Sequence, residues 1–294
     1  MGIEKWLLKN TASLRGKAVA VTGSTGGIGR EFCRYIARLG AELILLDRNE
    51  ARSKNHALEL EASFPSVRVS RISLDLEDVA SVKAATEELR KRGVDVLIHN
   101  AGAYSIPRRR CAVGLDNVFQ INFASPYYMT RELLPSLRER GGRVVAVGSI
   151  AHNYRRIDEK DPDFSTRGRA SLVYGNAKRH LMYAHAELFS REAGADVSIV
   201  HPGITFTNIT AHYPKVIFAL IKHPMKVIFM RPGKAALSIL HGLFEPTSRC
   251  EWIGPRVFDV WGYPKKKPLA TAGEDERRMI FSRAEEIYER MKAI

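Results

Sequence analysis

Short apolar runs alternate along the chain with longer stretches whose apolar residues recur every three or four positions. Residues 18–22 form such a run and end in glycines. Residues 30–39 follow, with Phe32, Tyr35, Ile36 and Leu39 at helical spacing, and Gly40 predicts the stop. The same reading predicts strands over 42–46, 67–74 and 94–99, followed by Asp47, Asp75 and Asn100. It predicts helices over 50–63 and 79–92, the second closed by Gly93. Residues 115–138 predict a long helix with a bend at Pro126. A strand over 143–147 ends at Gly148-Ser149, a helix spans 171–191, and a strand over 197–200 ends in His201-Pro202-Gly203. Beyond it the pattern weakens. Residues 205–230 mix apolar patches with basic residues, and 231–243, 251–253 and 274–293 predict a helix, a short strand and a polar terminal helix.

Strands alternating with helices of this length predict an α/β fold, a Rossmann-type doubly wound parallel sheet with helices on both faces. Right-handed crossovers bring the C-terminal ends of the strands to one edge. Gly23, Asp47, Asp75, Asn100, Ser149 and Pro202 then share a rim, where such folds bind ligands. No repeat or low-complexity linker divides the chain, so residues 1–294 are expected to form a single domain. A substrate loop or lid is expected at about 204–231 and a C-terminal helical tail at about 270–294.

Composition narrows the class. The chain has 294 residues, 45% apolar and 27% charged, as in ordinary soluble proteins. A net charge of +14 invites anionic partners. The Lys and Arg are scattered, however, without a zinc-finger, RNP-like or basic-zipper pattern, which argues against nucleic acid. Cys33, Cys111 and Cys250 follow no metal or disulfide spacing and fit a reducing compartment. No apolar stretch reaches the ~20 residues of a membrane span. Trp6-Leu7-Leu8 is too short and too closely flanked by Glu4, Lys5 and Lys9 for a signal core. The expectation is a cytoplasmic protein. Weak peripheral contact with an anionic membrane is left open by Lys215, Lys222, His223, Lys226 and Arg231 beside apolar groups.

The glycine turn Thr22-Gly23-Ser24-Thr25-Gly26-Gly27-Ile28-Gly29 joins a strand to a helix. Gly23 permits the turn. Gly27 and Gly29 remove side chains where backbone must approach a pyrophosphate and where the helix packs on the sheet. The free N–H groups at the helix start then face the phosphates. Asp47 ends the second strand, where a carboxylate can accept from both ribose hydroxyls of NAD and would repel the extra phosphate of NADP. NAD is therefore favoured, and Arg48, which could clasp that phosphate, leaves NADP open. Asp75, before Leu76, either accepts from the adenine amino group or caps the next helix.

Tyr174 and Lys178 stand one helical turn apart. Hydride loss from a secondary alcohol requires loss of the hydroxyl proton. A phenol can take that proton once a nearby positive charge lowers its pKa from about 10. Ser149, at a strand end, can hold the substrate oxygen. Asn122 sits mid-helix, an unfavourable place for Asn.

These segments, in this order, resemble the short-chain dehydrogenase/reductase superfamily over roughly residues 16 to 256. The resemblance rests on Thr22-Gly23-x-x-x-Gly27-x-Gly29, Asn100-Ala101-Gly102, Asn122, Ser149, Tyr174-x-x-x-Lys178 and Pro202-Gly203. It implies an oxidoreductase acting on an alcohol/carbonyl pair with Asn122, Ser149, Tyr174 and Lys178 as catalytic residues. Asn122 would anchor a water linking the lysine to solvent, and Lys178 would also bind the cofactor ribose. It further implies cofactor contacts at Gly23, Thr25, Gly27, Ile28, Gly29, Asp47, Arg48, Asp75, Leu76, Asn100, Ala101, Gly102, Tyr174, Lys178, Pro202, Gly203, Thr205 and Thr207. Ser149 and Tyr174 stand about twice as far apart as in the commonest members. That lengthened form resembles the branch containing retinol dehydrogenases.

The substrate expectation is a moderately bulky, apolar alcohol or carbonyl, from Phe206 and the apolar groups between Val216 and Met230. Arg155, Arg156 and Arg169 in the insertion argue instead for an anionic one. A homodimer or homotetramer is left open. The alternatives are a non-catalytic NAD-binding scaffold or sensor and a nucleotide-sugar epimerase or dehydratase.

Overall fold

The computed structural model describes residues 2–205 and 230–294. Strands β1 (Ala18–Thr22), β2 (Glu42–Asp47), β3 (Val69–Ser73), β4 (Val96–His99), β5 (Arg143–Val147), β6 (Asp196–Val200), β7 (Glu251–Val257) and β8 (Trp261–Pro268) form one sheet. Its order is β3-β2-β1-β4-β5-β6-β7-β8, parallel through β7, with β8 antiparallel to β7. The order reverses between β1 and β4, which opens the crevice expected of a doubly wound sheet.

Helices cover both faces, so the inner strands read as unbroken apolar runs. Successive side chains still point to opposite sides. Ala20, Ile44, Leu97 and Val144 pack with helices α4 (Val79–Arg92), α6 (Ser125–Glu139), α7 (Ala170–Ser190) and α9 (Glu274–Ala293). Val19, Val21, Leu43 and Ile98 pack with α1 (Ile3–Asn10), α2 (Gly27–Arg38), α3 (Glu50–Ser63) and α8 (Pro232–Phe244).

Several elements depart from the sequence reading, among them helix α1, which was not expected, and β7, which runs four residues past the expected end. Helix α2 starts at Gly27, three residues early, because glycines hide its first turn from periodicity. The long helix over 117–139 is broken not by a bend at Pro126 but by a π-helical turn, Gln120–Ala124, between a short α5 (Asn117–Phe119) and α6. Pro126 lies in the first turn of α6. Strand β8, Trp-Gly-Tyr-Pro-Lys-Lys-Lys-Pro, was not anticipated. It is a partly exposed edge strand, and such strands carry Lys and Pro instead of an apolar run.

Candidate active site

The strand ends assemble the rim. Gly23 has φ +66, and a Cβ there would lie 2.9 Å from Ala101 Cα. A Cβ on Gly29 would lie 2.3 Å from Gly23 O. The turn therefore needs glycine at both points to close against the Asn100-Ala101-Gly102 segment. Asn100 Nδ2 donates to Thr22 O and Gly23 O, each at 3.0 Å, and the Asn100 and Ala101 amides donate to Thr22 Oγ1. Gly27 and Ile28 open α2 behind the uncapped Gly26.

Asp47 is buried and accepts four hydrogen bonds: from Ser24 Oγ at 2.5 Å, the Thr25 amide and Thr25 Oγ1 at 3.1 Å each, and Ser53 Oγ at 3.0 Å. Its carboxylate braces the glycine turn, which the sequence did not indicate. Arg48 is 70% exposed and stands 4.0 Å from Asp75. Asp75 does not cap the next helix. Its Oδ1 accepts from Glu77 N, and Asp78 is the cap of α4. The Leu76 side chain is buried, and its carbonyl accepts from Ser125 Oγ.

The four expected catalytic residues converge from different elements. The π turn holds Asn122, whose Nδ2 donates to Ala103 O and Val118 O at 2.8 Å each. Its Oδ1 is buried without a partner among the described residues. A Cβ on Gly102 would lie 2.7 Å from that oxygen and 3.5 Å from Lys178 Nζ, so the missing side chain leaves room for both groups. Lys178 is buried on α7 and donates to Val147 O at 2.8 Å. Burial pushes its ammonium down to about 7. Its Nζ lies 5.7 Å from the Tyr174 ring centroid. Burial pushes the Tyr174 phenol up to about 12, while a hydrogen bond with the Ser149 side chain pulls it back. Ser149 caps a 3₁₀ turn, Ile150–Asn153.

Pro202 and Gly203 follow β6, and Gly203 has φ +85. Thr205 is buried and bridges to Met230. Phe206, Thr207 and the residues from Val216 through Phe229 lie outside the described residues.

This constellation has counterparts of known family. A model of the short chain dehydrogenase family matches residues 17–160. Mouse retinol dehydrogenase 12 is 30% identical over 231 residues, 77% of this chain and 72% of its own. The chain belongs to the short-chain dehydrogenase family. It is an NAD(P)-linked oxidoreductase of the retinol dehydrogenase-like branch. Mouse polyprenol dehydrogenase is 27% identical over 272 residues, 89% of this chain and 80% of its own. An uncharacterised protein from Mycobacterium paratuberculosis shares the fold, with TM-score 0.74 and 23% identity over 96% of both chains.

Several residues around the candidate site were missed in sequence. Tyr104 sets its ring edge-on to Tyr174, with centroids 5.3 Å apart. Its place just after the Asn100-Ala101-Gly102 segment was the available signal. His152 Nδ1 donates to Ser149 O, 2.7 Å away, and the ring packs on Trp252, which also stacks with His201. Trp252 lies about 100 residues further along the chain, and nothing local marks it.

Proposed function

We propose that this family member oxidises an alcohol or reduces the matching carbonyl, with Tyr174 as general acid/base. The observation that carries the reading is the pair on α7, a buried lysine beside a half-buried phenol. An amine pushed down to about 7 beside a phenol pushed up to about 12 is a costly arrangement, of the kind found where protons move. When bound, the nicotinamide would give or accept the hydride. Ser149 Oγ would hold the substrate oxygen, and Tyr174 would pass or take its proton. Lys178 would favour the phenolate and hold the ribose, and Asn122 Oδ1 would accept from a water beside the lysine. The glycine turn, Asn100 and Pro202-Gly203 would line the cofactor, with Thr205 toward the carboxamide.

NAD is the favoured cofactor. Asp47 has hydroxyl donors around it that ribose hydroxyls could replace at little cost. A second anion beside this buried carboxylate would be poorly compensated by the largely exposed Arg48. The substrate is apolar and moderately bulky. The aromatic wall of Tyr104 and likeness to a polyprenol dehydrogenase support that choice. No helix among the described residues is long and apolar enough to cross a membrane.

The test is Tyr174→Phe, assayed with a panel of secondary alcohols of increasing apolar bulk. The variant should bind NADH as the wild type does and lose roughly 10²–10⁴ in turnover. Full turnover by the variant would remove the assignment.

A further inference from the structure

A cavity of about 680 Å³ lies between the lengthened segment that joins Ser149 to Tyr174 and Met279 of helix α9. Its size suits a small organic ligand. Ile157, Phe164, Leu172 and Met279 line it with apolar surface, and Arg155, Arg156 and Lys160 with positive charge.

Most of the segment's own acids are engaged within the loop, while Arg156 acts on Glu276 from a distance. Asp161 accepts from Ser165 Oγ, Thr166 Oγ1 and the Thr166 amide, and pairs with Arg167. Asp163 accepts from the Asp116 and Ser165 amides. Asp158 pairs with Arg167 and accepts from the Lys160 amide. These three carboxylates are thus committed to bracing the loop. Arg155, Arg156 and Lys160 make no ion pair among the described residues, and Glu159 is the one remaining acid of the lining.

The cavity walls are tied to the C-terminal helix and to the cluster beside Tyr174. The Ile157 amide donates to Glu276 Oε1 at 3.1 Å. Phe164 holds φ +53, an uncommon backbone for a bulky residue, with its side chain buried. Phe164 belongs to a small apolar cluster with Val118 and Val173, and Leu172 and Tyr174 both pack against it, so a cavity-lining residue also backs the phenol.

We propose that this cavity receives the carboxylate end of an amphipathic substrate whose alcohol or carbonyl end lies toward Tyr174. The inference rests on the oxidoreductase reading above and replaces its wholly apolar substrate with one that is apolar along its body and carries a terminal carboxylate. Arg155, Arg156 and Lys160 hold the carboxylate through charge-assisted contacts. Ile157, Phe164, Leu172 and Met279 cover the apolar body.

The test compares ω-hydroxy fatty acids with their methyl esters as substrates, in the wild type and in Arg155→Ala/Arg156→Ala. Dodecanoate binding to the NADH-loaded protein is measured in parallel by calorimetry. The wild type should prefer acid to ester by roughly tenfold in kcat/KM, and the preference should shrink toward unity in the double variant and in high salt. Lys160→Glu, at an exposed position, should reverse the preference in the same assay. Dodecanoate binding should weaken in parallel in both variants. Turnover of neutral alcohols with no preference for the acid would overturn the carboxylate site and leave the oxidoreductase reading standing. Dodecanoate binding that the double variant loses, in a protein that oxidises no alcohol, would support the site and remove the oxidoreductase reading.

Discussion

Arg179 and Glu276 meet in a two-pronged ion pair, Nε to Oε1 and Nη2 to Oε2, both at 2.8 Å. The guanidinium is buried and spends its remaining donors on His152 O, Thr271 Oγ1 and Thr271 O. Arg179 directly follows Lys178, and His152 lies in the turn capped by Ser149. The C-terminal helix α9 is thereby fastened to both sides of the candidate reaction centre.

Removing one partner should leave a buried, unpaired charge. Glu276→Ala is expected to cost about 3–5 kcal/mol of stability, measured by urea unfolding. Arg179→Met/Glu276→Leu should cost much less than the two single losses added together. Additive losses would mean that the pair contributes only through packing.

The glycine turn gives a contrast between neighbours. Gly29→Ala would place a Cβ 2.3 Å from Gly23 O, a backbone atom that cannot step aside without opening the turn. Gly26→Ala meets the same oxygen at 3.5 Å, an ordinary contact, with φ −74. NADH affinity should collapse in the first variant and stay within about threefold in the second, where the backbone is unstrained. Fluorescence titration measures both, and equal affinities would disprove the close approach.

Stability should fall in acid. Burial lowers His152, His180, His185 and His201 from 6.5 to about 4. Between those values the unfolded chain takes up protons that the folded chain refuses, so stability declines as pH falls from 6.5 toward 4. Each ring adds up to about 1.4 kcal/mol per pH unit. Unfolding midpoints from pH 7 to 5 would record the slope. His180→Leu should make it shallower, and a flat profile would show that the rings are protonated inside the fold.

The two directions of the reaction should separate with pH. Carbonyl reduction needs the Tyr174 phenol protonated, which its elevation to about 12 secures at neutral pH in the cofactor-free protein. Alcohol oxidation needs the phenolate, so its kcat/KM should rise from pH 7 upward while reduction does not. Parallel profiles for both directions would point to another proton carrier.

Much of the fold was readable from local pattern. Strands covered on both faces carry unbroken apolar runs, and helices repeat every three or four residues, so β1, β2, β4, β5 and most helices declared themselves. Once crossover handedness orders the strands, Gly23, Asn100, Ser149 and Pro202 fall on one rim, and Tyr174 with Lys178 shares a helix face. Other features belong to the tertiary structure alone. Asp47 could be read as a strand-end acid, but its four donors come from residues 22 or more positions before it and 6 after it. The π turn that carries Asn122 looks in sequence like ordinary helix. Arg179 and Glu276 stand 97 positions apart. Periodicity reports only which side of its own element a residue faces. Which distant groups meet there depends on sheet order and helix docking, and these bring together charges whose burial only a partner makes tolerable.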